Sequence, residues 1–319
     1  MELQVYLNGQ WVPKKEAKIS VFDHGLLYGD GVFEGIRSYK GLVFKLEEHL
    51  ERMWESAHTL MLDLPITKKE MEKAIVETLK RNQLMDAYIR VVVTRGIGDL
   101  GLDPTLCKNP TVFIITDRIV LYPATLYRKG LKIVTVPTVR NLPEAVNPAI
   151  KSLNYLNNIF AKIEARNSGC MEALMLNHQG YVAECTGDNV FMIKGDGSTK
   201  KKATLTTPPV YLGALKGITR QAIIDIAASK KMVFEEKVIT RHDLFNADEV
   251  FLTGTAAEVI PVVQIDGRVI GSGKPGKITG TLLKAFRELT LKDGVRYMVD
   301  TKAARAEKRA KFGFGRGEE

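Results

Sequence analysis

Cysteine is scarce in this chain: Cys107, Cys170 and Cys185 are the only three in 319 residues. Their odd number and lack of metal-like spacing argue against a disulfide framework or a metal site. They suit a reducing cytoplasm, each read as a small buried apolar residue. No apolar run approaches the roughly 20 residues that cross a bilayer as a helix, so no membrane span is expected. The start, MELQVYLNGQW, carries an acidic residue and strand-like alternation instead of a basic start and an apolar stretch, so no secretory signal is expected. There is no internal repeat. Acidic residues are the minority sign, 37 against 46 Lys and Arg, for a net charge of +9. The excess is local. Lys200-Lys201-Lys202 sits in a Gly/Ser/Thr-containing loop, and Lys302 to Glu319 carries six basic and three acidic residues. No aromatic interleaving or recognised motif accompanies them, so they read as a solvated loop and a frayed tail, and no nucleic-acid partner is expected.

What is present is an ordinary soluble composition, 45% hydrophobic and 26% charged, in a chain long enough for two domains. Val5–Leu7, Asn8-Gly9 and Trp11-Val12 form a hairpin signal, and Phe33–Tyr39 with Leu42–Phe44 form another around Lys40-Gly41. Leu46, Leu50, Met53, Trp54, Ala57 and Leu60 recur at helical spacing, and a second helix is predicted over Lys68–Arg81. Strands follow at Tyr88–Thr94 and Thr111–Thr116, separated by the Gly- and Pro-containing loop Arg95–Pro104. Leu121–Tyr127, with Pro123, separates two strand-rich halves. The second half begins at Leu131–Val136, has helices at about Leu153–Arg166, Thr219–Lys230 and Lys277–Leu289, and strands in between. Strands come mostly in hairpins, which argues for an α+β fold and against a doubly wound one. The expected organisation is a small N-terminal domain (1–120), a linker (121–127), a larger domain (128–291) and a charged C-terminal extension (292–319).

Six short segments carry the chemistry: YGDGVFEGIRSY (28–39), HLERMWESA (49–57), IKSLNYLNN (150–158), VAECTGDNVF (182–191), LKGITR (215–220) and GTAAEV (254–259). They supply a lysine, an arginine, a carboxylate, a tyrosine and two small-residue turns. A pyridoxal-phosphate enzyme needs that set: an imine-forming lysine, a phosphate cradle and a partner for the pyridine nitrogen. Lys151, flanked by Ile150 and Leu153, is the candidate amine, since a lysine at the edge of a partly desolvated pocket has its charged form disfavoured. Arg52 is the candidate phosphate clamp. Gly217 lets the backbone approach a ligand where Ile218 and Thr219 open a helix, and an anion is favoured at such an N-terminus. Gly254–Ala257 is a similar turn, suited to the same phosphate or to a substrate carboxylate. Glu184 is the candidate partner of the pyridine nitrogen.

The ordered set resembles the fold-type IV pyridoxal-phosphate enzymes, the class-IV aminotransferases, and most closely the branched-chain amino-acid aminotransferases, from about Val5 to Leu289. The resemblance implies a small N-terminal α/β domain and a larger β-rich pseudo-barrel domain. It implies that Lys151 is the Schiff-base lysine and proton shuttle, that Glu184 pairs with the pyridine nitrogen, and that Tyr155 lies near the cofactor's phenolic oxygen. Arg52, Ile218, Thr219 and Thr255 would hold the phosphate, with Leu215 packed on the ring. Tyr28, Phe33, Arg37 and Tyr88 would line an aliphatic substrate pocket, Arg90 would receive the distal carboxylate of glutamate, and Thr255, Ala256 and Ala257 the α-carboxylate. The implied activity is ping-pong transamination of L-leucine, L-isoleucine or L-valine with 2-oxoglutarate, by a cytoplasmic homodimer or larger homo-oligomer. The same class holds D-amino-acid aminotransferases and aminodeoxychorismate lyases. A cofactor-free binding protein is the rival of another class.

Overall fold

A computed structural model of the chain describes residues 2–119, 122–195, 197–198 and 202–298. Leu121 of the expected linker, Lys200 and Lys201 of the basic loop, and the tail from 299 onward lie outside the described residues. The chain opens with β1 (Gln4–Leu7) and β2 (Gln10–Pro13), joined at Asn8-Gly9, where both residues have positive φ (46° and 89°). Positive φ at both turn positions matches the twist of a tight hairpin, which is why Asn-Gly belongs there. Helix α1 (His24–Leu27) is short. Strand β3 (Gly31–Tyr39) turns at Lys40-Gly41 into β4 (Leu42–Phe44). Two amphipathic helices follow, α2 (Leu46–Thr59) and α3 (Lys68–Arg81), the latter opened by a reciprocal Thr67/Glu70 capping box. Strands β5 (Ala87–Thr94) and β6 (Thr111–Asp117) complete the unit. The helices bury Leu46, Met53, Met71, Ile75 and Leu79 against Val32, Ile36, Ile89, Val91 and Ile114 of the sheet.

The second unit runs α4 (Ala124–Lys129), β7 (Leu131–Thr135), α5 (Pro143–Val146), α6 (Leu156–Asn167), β8 (Glu172–Leu176), β9 (Val182–Cys185), β10 (Asn189–Lys194), β11 (Thr204–Thr207), α7 (Ile218–Ser229), β12 (Val233–Glu236), α8 (Arg241–Phe245), β13 (Glu249–Gly254), β14 (Glu258–Ile265), β15 (Arg268–Val269) and α9 (Lys277–Leu289). Its sheet is ordered β12-β11-β10-β13-β14-β7-β8-β9, with β15 on β14. The end strand β9 reaches β10 through only Thr186, Gly187 and Asp188, so the sheet must curl until those strands come together. The described chain closes with β16 (Gly294–Arg296), which returns to pair with β4 of the first sheet, so the opening of the expected C-terminal extension belongs to that sheet.

Two features differ from the sequence expectation. The β11–β12 and β7–β8 pairs are parallel, each spanned by a helical crossover, α7 and α6 respectively. A parallel pair requires such a crossover, and hairpin counting missed both. Helix α6 starts at Leu156, three residues after the predicted start, because the preceding segment is tied to β3. Phe33 N–H donates to the Lys151 carbonyl at 3.0 Å, and Leu153 N–H to Gly31 O at 3.0 Å. A third core joins the units: Leu42 and Phe44 pack with Phe191, Phe251, Leu282 and Phe286, the Phe44 and Phe286 rings meeting edge to face at 5.5 Å.

Candidate active site

Lys151 is placed by its backbone. Its N–H donates to Ser56 Oγ of α2 at 3.1 Å, and its carbonyl accepts from Phe33 of β3. The amine therefore stands between the two sheets, at the wall of a cavity of about 360 Å³. Lys151 Nζ lies 3.4 Å from the Tyr155 hydroxyl and 4.7 Å from the Phe33 ring centroid. Tyr155 sits at the N-terminus of α6, its ring edge to face with Phe33 at 5.0 Å.

Arg52 projects from α2 and is fixed at three points. Its Nε and Nη2 donate to both oxygens of Glu34 at 2.7 and 2.9 Å, and its Nη1 to the Lys216 carbonyl at 2.8 Å. Glu34 is fully buried and also takes His49 Nδ1 at 2.7 Å. Burial would raise Glu34, but the Arg52 guanidinium and His49 hold its carboxyl well below the usual range, while burial pushes His49 down. Beside Arg52 lies the first turn of α7. Gly217 caps it without a side-chain bond, and Ile218 and Thr219 line the cavity. A Cβ on Gly217 would stand 2.1 Å from Asn189 Oδ1, so only glycine leaves this backbone where it is.

Glu184, at the end of β9, is held on both oxygens. Arg140 Nη2 donates to Oε1 at 2.6 Å; Asn189 Nδ2 and the Leu215 amide each donate to Oε2 at 3.0 Å. Burial pushes its carboxyl up, opposed by the Arg140 guanidinium and the Leu215 amide. Leu215 lines the cavity beside it.

The Gly254–Ala257 turn joins β13 to β14 and presents Thr255 and Ala256 to the cavity. Its outer side is braced. Arg37 of β3 donates to Ala256 O at 3.3 Å, and the Tyr127 hydroxyl to Ala257 O at 2.9 Å. Arg37 also pairs with Glu258 at 3.2 Å, and Arg287 of α9 pairs with the same carboxylate at 2.9 Å. Glu258 has φ +58°, a left-handed conformation that costs a non-glycine residue about 1 kcal/mol and persists where its surroundings over-determine it.

The substrate candidates divide. Tyr88 lines the cavity, and Gly35 makes room for it: a Cβ there would lie 2.2 Å from the Tyr88 hydroxyl. Phe33 lies directly behind the wall, with the Arg90 guanidinium stacked on it at 4.3 Å. Neither Arg37, which braces the turn from outside, nor Ala257, the last residue of the turn, lines the cavity. Tyr28 is set apart, its hydroxyl donating to Leu100 O at 2.6 Å beside the loop Arg95–Pro104. Sequence reading missed Arg140, Asn189, Glu34, His49, Tyr127 and Glu258. Glu34, His49, Asn189 and Glu258 stand inside the quoted segments, but nothing local marks Arg140 or Tyr127.

These residues fit pyridoxal phosphate. Two glycine turns, a helix N-terminus and an arginine suit a phosphate; a carboxylate held by an arginine suits a pyridinium nitrogen; and a lysine faces the space between. The Thr253 hydroxyl, buried without a partner among the described residues, lines the same cavity and awaits a polar group.

A family model described as amino-transferase class IV matches residues 31–265. A Methanocaldococcus jannaschii protein carrying the provisional name of branched-chain-amino-acid aminotransferase is 51% identical over 295 residues, covering 92% of this chain and 99% of its own. A Bacillus licheniformis D-alanine aminotransferase is 34% identical over 291 residues, with 91% and 98% covered. The crystal structure of a branched-chain amino acid aminotransferase from Thermobaculum terrenum, in its pyridoxal-phosphate form, has 29% identity and a TM-score of 0.81, over 93% of this chain and 96% of that one.

Proposed function

Because this chain belongs to the class-IV aminotransferases, we propose that it moves the amino group of L-leucine, L-isoleucine or L-valine to 2-oxoglutarate. The observation that carries this reading is the convergence of Lys151, Tyr155, Glu184, Arg52 and the first turn of α7 on one cavity. Pyridoxal phosphate, when bound, supplies a carbon that exchanges amines and a protonated ring that takes up electron density. Arg52 and the α7 amides would hold its phosphate, and Glu184, hydrogen-bonded by Arg140, would hold the ring nitrogen. Lys151 Nζ, 3.4 Å from the Tyr155 hydroxyl, is the group that takes and returns the substrate's Cα proton. The braced Thr255–Ala257 turn receives the α-carboxylate. Phe33 and Tyr88 supply apolar surface for a branched side chain, and Arg90, on the same wall, a cation for the acidic partner. One pocket then serves both half-reactions.

The working unit we propose is a homodimer in the cytoplasm. Helix α6 leaves Leu156, Ile159, Phe160 and Ile163 on one outward stripe, with Phe160 55% exposed, a pattern that suits burial against a second copy. Tyr28, tied to a loop bearing the exposed Ile97, Leu100 and Leu102, would complete the partner's pocket. The visible absorbance of the holoenzyme tests the substrate reading. Bleaching by L-leucine with release of the 2-oxo acid is expected. Bleaching by D-alanine alone would move the enzyme to the D-specific group.

A further inference from the structure

Beneath the α-carboxylate turn lie two buried acids that the reaction as described leaves unused. Glu172 of β8 and Asp188, from the three-residue turn between β9 and β10, both line the cavity, 2% and 4% exposed. One phenol stands between them: the Tyr122 hydroxyl is 3.2 Å from Glu172 Oε2 and 3.3 Å from Asp188 Oδ2. Donors are shared unequally. Glu172 also receives Lys162 Nζ at 2.7 Å, the amides of Ala173 and Thr186 at 2.9 and 3.0 Å, and the Thr186 hydroxyl. Among the described residues, the Asp188 carboxyl has only the phenol oxygen.

A phenol carries one proton and can donate it to one acid. With both acids ionised only one of the two contacts can be a hydrogen bond, so both are made only when one acid carries a proton, and Asp188, whose carboxyl has no other donor among the described residues, is the one whose charge is least supported. The alternative leaves two lone pairs facing each other in a buried site. The other oxygen of Asp188 lies against Gly254, where a Cβ would stand 2.0 Å from it, immediately behind the turn that opens at Thr255.

We infer that Asp188 is a neutral carboxylic acid that keeps the α-carboxylate turn free of opposing charge, and that its ionisation weakens the binding of substrate carboxylates. This rests on the reading that Thr255–Ala257 receives the α-carboxylate. Asp188 is a positioning residue here, acting on the ligand through the turn. The groups facing it are Glu172 on β8, Lys162 on α6, Glu184 and Cys185 on β9, Tyr122 and, on α4, Tyr127. Burial and the Glu172 carboxylate push Asp188 up to about 7, against the pull of Lys162.

The test is calorimetric binding of 4-methylvalerate, a branched carboxylate without an amine, to the pyridoxal-phosphate holoenzyme from about pH 6 to about pH 9. The dissociation constant is expected to rise about tenfold across that range, as one buried charge appears near another. In Asp188→Asn that rise is expected to be absent. The cofactor's own titration, read from its visible absorbance, is common to both proteins and cancels in the comparison. Infrared spectra of the wild-type enzyme give a reading that needs no variant: a carboxylic-acid carbonyl band present near pH 6 and lost as the pH is raised. A rise of equal size in both proteins, or no such band in the wild type, overturns the inference. Failure of 4-methylvalerate to bind at any pH, with the infrared band present, overturns the α-carboxylate reading instead.

Discussion

At the scale of single residues, the site is built around charges held in small networks, Arg52 and His49 on Glu34, Arg140 on Glu184, Arg37 and Arg287 on Glu258. In the proposed reaction Lys151 is the residue whose loss costs most: Lys151→Ala is expected to lower turnover by more than about a thousandfold while leaving the far-UV circular dichroism unchanged. Glu34 acts through Arg52. Glu34→Ala would leave Arg52 and His49 buried without their shared carboxylate, at a cost of about 3 kcal/mol in urea unfolding and with weaker cofactor retention. His49 adds a pH dependence. Its folded-state pKa lies below the ordinary value, so below about pH 6.5 the unfolded chain takes up a proton that the folded one refuses. The contribution is therefore complete above that pH and lost as pH falls. His49→Gln is expected to lose less stability than wild type over that fall, as measured by denaturation at a series of pH values.

At the scale of elements, the two parallel crossovers make the site. The first, from β7 to β8, carries Lys151 and Tyr155, and the second, from β11 to β12, carries Leu215 and the α7 N-terminus. Gly217 shows how tightly they are matched. Gly217→Ala would push a Cβ onto Asn189 Oδ1, displacing the amide that holds Glu184 and the Leu215 carbonyl. About a tenfold loss of cofactor affinity by equilibrium dialysis is expected, with secondary structure retained. Both long helices of the first unit, and α9, were legible because their apolar spacing lies within the elements themselves. The crossovers were not, because β7, β8, β11 and β12 are only four or five residues long, and each parallel pair forms only after the intervening helix has brought its second strand back alongside the first. The late start of α6 was hidden for the same reason: its cause is a pair of hydrogen bonds to β3, over a hundred residues earlier. Among the site residues, Lys151, Arg52 and Glu184 could be found by their chemistry within the quoted segments, whereas Glu34, His49, Asn189 and Glu258, in the same segments, act through partners that only the fold supplies. Arg140 could not be found that way, since an arginine becomes a partner of Glu184 only once the strands have brought β9 beside it.

At the scale of the whole molecule, two features extend beyond one cavity. The outward stripe of α6 is expected to hold two copies together. Phe160→Glu combined with Ile163→Glu should shift sedimentation from dimer to monomer, and activity should fall with it if Tyr28 serves the neighbouring pocket. The other feature is the double allegiance of Lys151, which follows the first unit along the chain yet is hydrogen-bonded to α2 and β3. The proposed cofactor contacts run from Arg52 to Thr255, and the turn holding the last of them is braced by Arg37 from one side and by Arg287, on α9, through Glu258 from the other. Neither half of the chain owns a site it could fill alone. During synthesis the colour of the cofactor is therefore expected to arrive late, after α9 has left the ribosome and docked, and its appearance would serve as a clock for the completion of folding.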